Sequence, residues 1–244
     1  MNPAEYERMY SQEDTYWWFI GRRRLVLDLI RSRFGGQRAL SILDVGCGTG
    51  AMSSELAALG NVVSTDLSGL ALGFSKRRGL KRMCCADAIR LPLGPESFDA
   101  VVALDLLEHI PDDAAAVREF ARVLRPGGCL FATVPAYRFL WSGHDLALMH
   151  VRRYTAREFR ALVEANGLGV SRLSYAMTAL FPLVWLVRRR ERSDIEPRSS
   201  VKPVPRMVNR LLIRILNAEN AWLRRADLPF GVSVVCVATR RERR

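Results

Sequence analysis

The sequence holds no run of about 18 apolar residues, so it offers no helix that could span a bilayer. Its opening, MNPAEYERMYSQEDTYWWF, lacks the basic-then-apolar order of a secretory leader. Lysine is nearly absent: Lys76, Lys81 and Lys202 are the whole set. Cys47, Cys84, Cys85, Cys129 and Cys236 are present, but none stands in the paired spacing of a metal site. These absences together predict a reduced, cytoplasmic chain. No segment repeats another.

What is present reads as an ordinary globular chain. The 244 residues are 49% hydrophobic and 25% charged, which excludes wholesale disorder and suits one domain with an elaboration. The net charge of +12 is unevenly spread: residues 188–244 carry +9 of it. Base composition of a genome explains the excess of arginine over lysine as well as anion recognition does. A basic tail suits an anionic membrane surface or nucleic acid. It has only Trp222 and Phe230 for base stacking, which speaks against nucleic acid.

Residues 4–33 read as one helix that carries Trp17-Trp18-Phe19 and Arg22-Arg23-Arg24 and ends at Gly35-Gly36. Strands are expected at Ser41–Cys47, Asn61–Leu67, Leu80–Ala86, Phe98–Leu106 and Cys129–Val134. Helices are expected between them at Ala51–Leu59, Ser68–Arg78 and Asp112–Leu124. Near-continuous apolar strands alternating with helices indicate a doubly wound parallel sheet. Pro135–Arg153 is a long connection rich in aromatics and histidine. Thr155 and Glu158 open a further helix as a capping-box pair, and Gly167 closes it. Leu168–Ser174 and Val232–Thr239 are the last two strands. Between them lie an apolar stretch, Tyr175–Val187, that Pro182 interrupts, a proline-bearing loop over 191–205, and a basic amphipathic helix, Arg206–Arg225.

The strongest chemical signal is Leu43-Asp44-Val45-Gly46-Cys47-Gly48-Thr49-Gly50, a strand running into a glycine turn and a helix. Such a turn lets backbone approach a ligand and presents the free N–H groups of the helix start. Gly46, Gly48 and Ala51 also satisfy G-x-G-x-x-[GA], with Asp66 twenty residues after Gly46, the pattern of a dinucleotide site. Three further features decide between the two. They are Asp87 in Cys85-Ala86-Asp87-Ala88, the segment Ser97-Phe98-Asp99-Ala100-Val101, and Leu124-Arg125-Pro126-Gly127-Gly128.

In this ordered succession residues 41–136 resemble the class I S-adenosylmethionine-dependent methyltransferases of the methyltransferase-11 type. The resemblance implies an α/β fold: a doubly wound, seven-stranded, mostly parallel sheet of order 3-2-1-4-5-7-6. It implies S-adenosylmethionine as cofactor. Asp44 would engage its ammonium, and Gly46, Cys47, Gly48 and Gly50 would line its methionine part. Asp66 would take the ribose hydroxyls, Leu67 would pack on adenine, Asp87 with Ala88 would face the adenine amine, and Leu104 would lie by the methionine. Residues 37–174 with 228–244 would be the core. Residues 1–36 would form a helical lid, from which Arg23 pairs with the methionine carboxylate.

Transfer to a hydroxyl calls for a base. His109, after the fourth strand, and His144 and His150, in the long connection, are the candidates. No metal is expected, since no third histidine lies near His144 and His150 in sequence. The aromatic and arginine-rich block and Trp141–Tyr154 resemble one bacterial and archaeal subgroup, some of whose members resemble enzymes of surface-glycan or lipid-linked pathways. The expected acceptor is a small or lipid-linked molecule, methylated at oxygen. No Asn-Pro-Pro-Tyr motif of the family's base amino-methyltransferases is present. Residues 175–227 would form a basic helical insertion that touches the inner face of a membrane, or a cap packed on the sheet. A cofactor-binding scaffold without turnover and an NAD-dependent oxidoreductase are the alternatives. Oligomeric state is not written in the sequence.

Overall fold

The computed structural model describes residues 3–35, 39–191 and 204–241. Helices α1 (Pro3–Gln12) and α2 (Trp17–Phe34) precede a regular alternation: β1 (Leu40–Val45), α3 (Ala51–Leu56), β2 (Gly60–Asp66), α4 (Gly69–Arg77), β3 (Met83–Cys85) and β4 (Phe98–Leu104). Then follow α5 (Asp113–Val123), β5 (Leu124–Pro135), α6 (Gly143–Ala147), α7 (Ala156–Ala165), β6 (Leu168–Ala176), α8 (Phe181–Glu191), α9 (Arg206–Leu223) and β7 (Ser233–Arg240). The seven strands form one sheet of order β3-β2-β1-β4-β5-β7-β6. β1 to β5 pair in parallel, and β7 runs antiparallel to both neighbours. This is the expected order.

The pleat explains why the strands are nearly continuous in apolar residues. Leu43, Val101 and Leu130 face one side, where Val117 and Phe120 of α5 and Phe159 and Val163 of α7 cover them. Their neighbours Ile42, Val102 and Phe131 face the other, under Leu25, Val26 and Ile30 of α2. Both faces are buried, so the central strands have no solvent side to alternate toward. The helix starts follow local chemistry. Asp112 accepts the N–H of Ala115 at 2.8 Å, and Thr155 with Glu158 makes the expected reciprocal cap.

Several boundaries differ from the sequence expectation. The helix read over 4–33 is two, broken at residues 13–16, because Glu13 turns inward to Thr49 and Arg78. Gly35 ends α2 in the left-handed region, with φ of +56°, while Gly36 lies outside the described residues. Pro126-Gly127-Gly128 falls within β5, where the pairing with β4 shifts register. β3 keeps only three residues. The apolar stretch at 175–187 divides: its first residues finish β6, and Pro182 sits in the first turn of α8, where a missing N–H costs nothing. Residues 192–203, most of the loop read over 191–205, lie outside the described residues.

Helix α9 seats on α2. Leu216 packs against Gly21, Asn220 donates to the Gly21 carbonyl at 3.0 Å, and Leu223 joins the core under the sheet. The apolar side chains of α9 are only partly covered: Val208, Leu211 and Trp222 stand exposed. Among the described residues, no helix is long and apolar enough to cross a membrane.

Candidate active site

A cleft of about 790 Å³ opens along the C-terminal edge of β1, β2 and β4, roofed by α1, α2 and α8. This is where a doubly wound sheet places ligands. The glycine turn forms its floor. Gly46 has φ of +69°, and a Cβ there would stand 2.7 Å from Leu106 Cδ1. Gly50 starts α3 with φ of +89°, packed on Ser75, so it shapes the turn without lining the cleft. The N–H of Gly48 donates to Asp66 Oδ2 at 2.9 Å, and that of Ser68 to Oδ1 at 2.9 Å. Asp66 therefore ties the turn to the end of β2 and still faces the cleft, and burial raises its carboxyl.

Asp44, Cys47, Leu67, Asp87, Ala88 and Leu104 line the same cleft. Asp44 is buried and accepts from Ser53 Oγ. Burial, with Asp66 and Glu13 nearby, pushes its carboxyl up to about 7. Burial, then Asp44 and Asp66, push the Cys47 thiol up, so it stays protonated. Asp87 is exposed and accepts the Ile89 N–H at 3.1 Å, and Leu67 stands open on the rim.

The lid places its arginines differently from the expectation. Arg23 donates Nε to Glu55 Oε1 at 2.6 Å and Nη1 to the Glu13 carbonyl. Arg22 is the guanidinium held over the β1 and β4 ends: it pairs with Asp105, while its Nε is buried with no hydrogen-bond partner. Burial lowers its pKa to about 10. Asp105, anchored by Thr133 Oγ1 at 2.8 Å, has φ of +48°, a strained backbone at the cleft. The pairing of Arg22 with Asp105 is long-range, so no sequence signal separated Arg22 from Arg23.

At the β4 end of the cleft the three histidines meet. The Val151 N–H donates to the Glu108 carbonyl at 2.8 Å, which straps the long connection against the turn after β4. The rings of His109 and His150 stand edge to face at 4.7 Å, and His144 lies 6.4 Å from His150. His150 Nδ1 lies 2.9 Å from Asp145 Oδ1. Arg153 grips Asp145 with Nε at 2.7 Å and Nη2 at 3.1 Å, and donates Nη1 to the Ala136 carbonyl at 2.9 Å. Burial opposes ionisation of Asp145, but His150 and Arg153 hold its carboxyl well below the usual range. Burial, then His150, lowers His109 to about 4; burial, then Arg188, lowers His144 to about 3. Both are neutral imidazoles at pH 7. Glu108 is fully buried with neither oxygen hydrogen-bonded by another residue, and burial pushes it up to about 8. The sequence singled out His109, His144 and His150 one by one. Arg153, which holds Asp145 against His150, was missed.

Residues 43–132 match a family model described as a methyltransferase domain. The ubiquinone biosynthesis O-methyltransferase of Nitrosomonas europaea is 31% identical over 53% of this chain and 61% of its own length. The chain thus spans less than two thirds of that relative. Two solved structures share the fold. A chain from the complex between the Haloferax volcanii Trm112 methyltransferase activator and a methyltransferase aligns with a TM-score of 0.65 at 18% identity, covering 99% of this chain and 95% of that one. Phosphoethanolamine N-methyltransferase 2 of Haemonchus contortus, solved with S-adenosyl-L-methionine, aligns at 0.60 and 19% identity over 96% of this chain and 57% of that one. The cleft fits such a cofactor: an unpaired buried Arg22 Nε and three carboxylates, Asp44, Asp66 and Asp87, lie along one glycine-floored groove. This sheet order and this turn give the chain the fold of the class I S-adenosylmethionine-dependent methyltransferases, and residues 43–132 match a methyltransferase domain.

Proposed function

We propose that the protein transfers the methyl group of S-adenosylmethionine to a hydroxyl oxygen of a small or lipid-linked acceptor. The observation that carries this reading is the polar cluster of Glu108, His109, His144 and His150 at the β4 end of the cofactor cleft. Asp66 and Asp87 stand at the β2 and β3 end, so the cofactor would lie along the cleft with its methionine toward that cluster. Trp17 and Trp18 of α2 and Leu183, Val184 and Val187 of α8 wall the acceptor end. The sulfonium already makes the methyl an electrophile. The acceptor oxygen would attack the methyl carbon, so that the O–CH₃ bond forms as the S–CH₃ bond breaks, the hydroxyl proton passes to the base and S-adenosylhomocysteine leaves. Holding the two in line is worth roughly 7–11 kcal/mol, and proton removal a further ~10²–10⁴-fold. His109, His144 and His150 are the proposed proton-transfer groups. Asp44, Gly46, Cys47, Gly48, Leu67, Ala88 and Leu104 are proposed cofactor contacts, and Arg22 replaces Arg23 as partner of the methionine carboxylate.

The outward faces of α8 and α9 support a lipid setting. Trp185 and Leu186, and Met207, Leu211 and Trp222, are exposed, and Arg206, Arg210 and Arg214 stand exposed on α9. Apolar side chains beside arginines suit an anionic membrane surface, which would make the protein peripheral at its inner face. Co-flotation with anionic vesicles at physiological salt is expected. Its absence would confine α9 to capping α2. Release of S-adenosylhomocysteine in the presence of a soluble metabolite pool, and separately a lipid extract, tests the transfer itself. Turnover with neither pool sinks the reading, and the active pool decides whether the acceptor carries a lipid.

A further inference from the structure

We propose that Glu108, His109 and His150 bind one divalent transition-metal ion of the zinc or iron(II) class at the acceptor end of the cleft. Each offers one ligand atom, and these atoms all lie within 4.8 Å of one another. Two imidazoles and one carboxylate, with positions left open, form a set that such ions favour. Sequence spacing gave no hint of it, because the two rings come from segments far apart in the chain.

Three observations carry the inference. The first is Glu108 itself. A fully buried carboxylate to which no other residue hydrogen-bonds is costly, unless a proton or a cation sits on it. The two nearby guanidiniums favour its charge from a distance but hydrogen-bond elsewhere: Arg153 to Asp145, and Arg22 to Asp105. The second is the setting of the histidines. His150 directs Nδ1 to Asp145 at 2.9 Å, which turns Nε2 toward Glu108 Oε1, 3.9 Å away. This carboxylate–histidine arrangement fixes the tautomer that presents a lone pair to a metal. The third is proximity: the rings of His109 and His150 stand edge to face with centroids 4.7 Å apart.

Ligands at 2.0–2.2 Å from such an ion stand roughly 3–3.5 Å apart. A gap as wide as 4.8 Å must therefore close by about 1.3–1.8 Å, through movement of the Glu108 carboxylate and the histidine rings. The uncovered side of the site faces the cleft that Arg22, Val184 and Val187 also line. An acceptor hydroxyl reaching the ion would lose its proton more easily. That role rests on the methyl-transfer reading above, and it narrows the proton-transfer assignment to His144. Asp145 and Arg153 are positioning residues.

The test uses the untagged full chain, stripped with a chelator and titrated with Co²⁺ by calorimetry and visible absorption, followed by displacement with Zn²⁺. One saturable site per chain is expected. Glu108→Gln and His150→Gln should each weaken uptake at least tenfold, and Asp145→Asn by about 10–100-fold. A single cooperative thermal transition and an unchanged far-UV circular dichroism spectrum in Glu108→Gln and His150→Gln show that each variant is folded. No saturable Co²⁺ uptake overturns the proposal. So does uptake that either folded ligand variant leaves unchanged, which would point instead to the adjacent, partly open Cys84 and Cys85. No acceptor enters this experiment, so its failure leaves methyl transfer standing, and a failed turnover assay leaves metal binding standing.

Discussion

Gly48 and Asp66 are joined by a 2.9 Å hydrogen bond from the main-chain N–H of the glycine turn to the carboxylate that ends β2. Each Asp66 oxygen takes one backbone N–H and keeps a further acceptor position directed at the cleft. The same side chain therefore shapes the turn and is proposed to receive the ribose. Asp66→Ala should remove two hydrogen bonds to a charged acceptor, each worth about 1.5–3 kcal/mol. Isothermal titration should show S-adenosylmethionine affinity down by two orders of magnitude or more. A change under threefold would remove Asp66 from the cofactor site.

Gly46→Ala should strain the turn. The left-handed φ of +69° and the 2.7 Å approach of Leu106 oppose any side chain there. A cost of about 1–3 kcal/mol is expected, read as a loss of roughly 2–4 °C in Tm per kcal/mol for a chain of this size. Gly69→Ala is the matched control: nothing lies within 4 Å of its added Cβ and its φ is not positive. Its Tm should hold or rise slightly. Equal losses in the two variants would contradict the packing account.

The frame of the fold was legible because burial on both faces makes β1, β4 and β5 read as apolar runs, and because capping pairs such as Thr155 and Glu158 act over three residues. The cofactor candidates were legible for a similar reason: Asp44, Asp66 and Asp87 each stand at or beside the C-terminal end of a strand. What stayed hidden depends on contacts across the chain. Glu13 breaks the first helix only because Thr49 and Arg78 await it, and Arg22 differs from Arg23 only through Asp105. The Glu108–His109–His150 cluster exists only once Val151 docks on Glu108.

Asp44 should leave a signature in stability against pH. Its folded pKa of about 7 lies above the ordinary carboxyl value near 3.9. Between those values the folded protein binds the proton more tightly than the unfolded chain. Stability from this group is thus complete below pH ~4 and is lost as pH rises toward 7. Asp44→Asn cannot ionise. The Tm of Asp44→Asn minus that of the parent should grow from pH 4 to 7 and level off above. A difference flat across this window would show that Asp44 is ionised in the folded state.

The lid depends on one close approach. Asn220 holds the Gly21 carbonyl, and a Cβ on Gly21 would meet three atoms of Leu216, the nearest at 2.3 Å. Replacing a helical glycine by alanine ordinarily gains about 1 kcal/mol. Overpacking costs about 1–3 kcal/mol. The contact involves Cβ and Cγ of Leu216 as well as its tip, so rotation of the leucine gives limited relief and the cost should win. Gly21→Ala should lower Tm by a few degrees and speed hydrogen exchange in residues 206–223. Arg22 is its chain neighbour on α2, so S-adenosylmethionine affinity should fall as well. Leu216→Ala alone should cost about 2–5 kcal/mol. Combined with Gly21→Ala, the two losses should sum to more than the double variant shows, with a coupling of about 0.5–3 kcal/mol. Strict additivity would mean that α9 does not rest on Gly21 in solution.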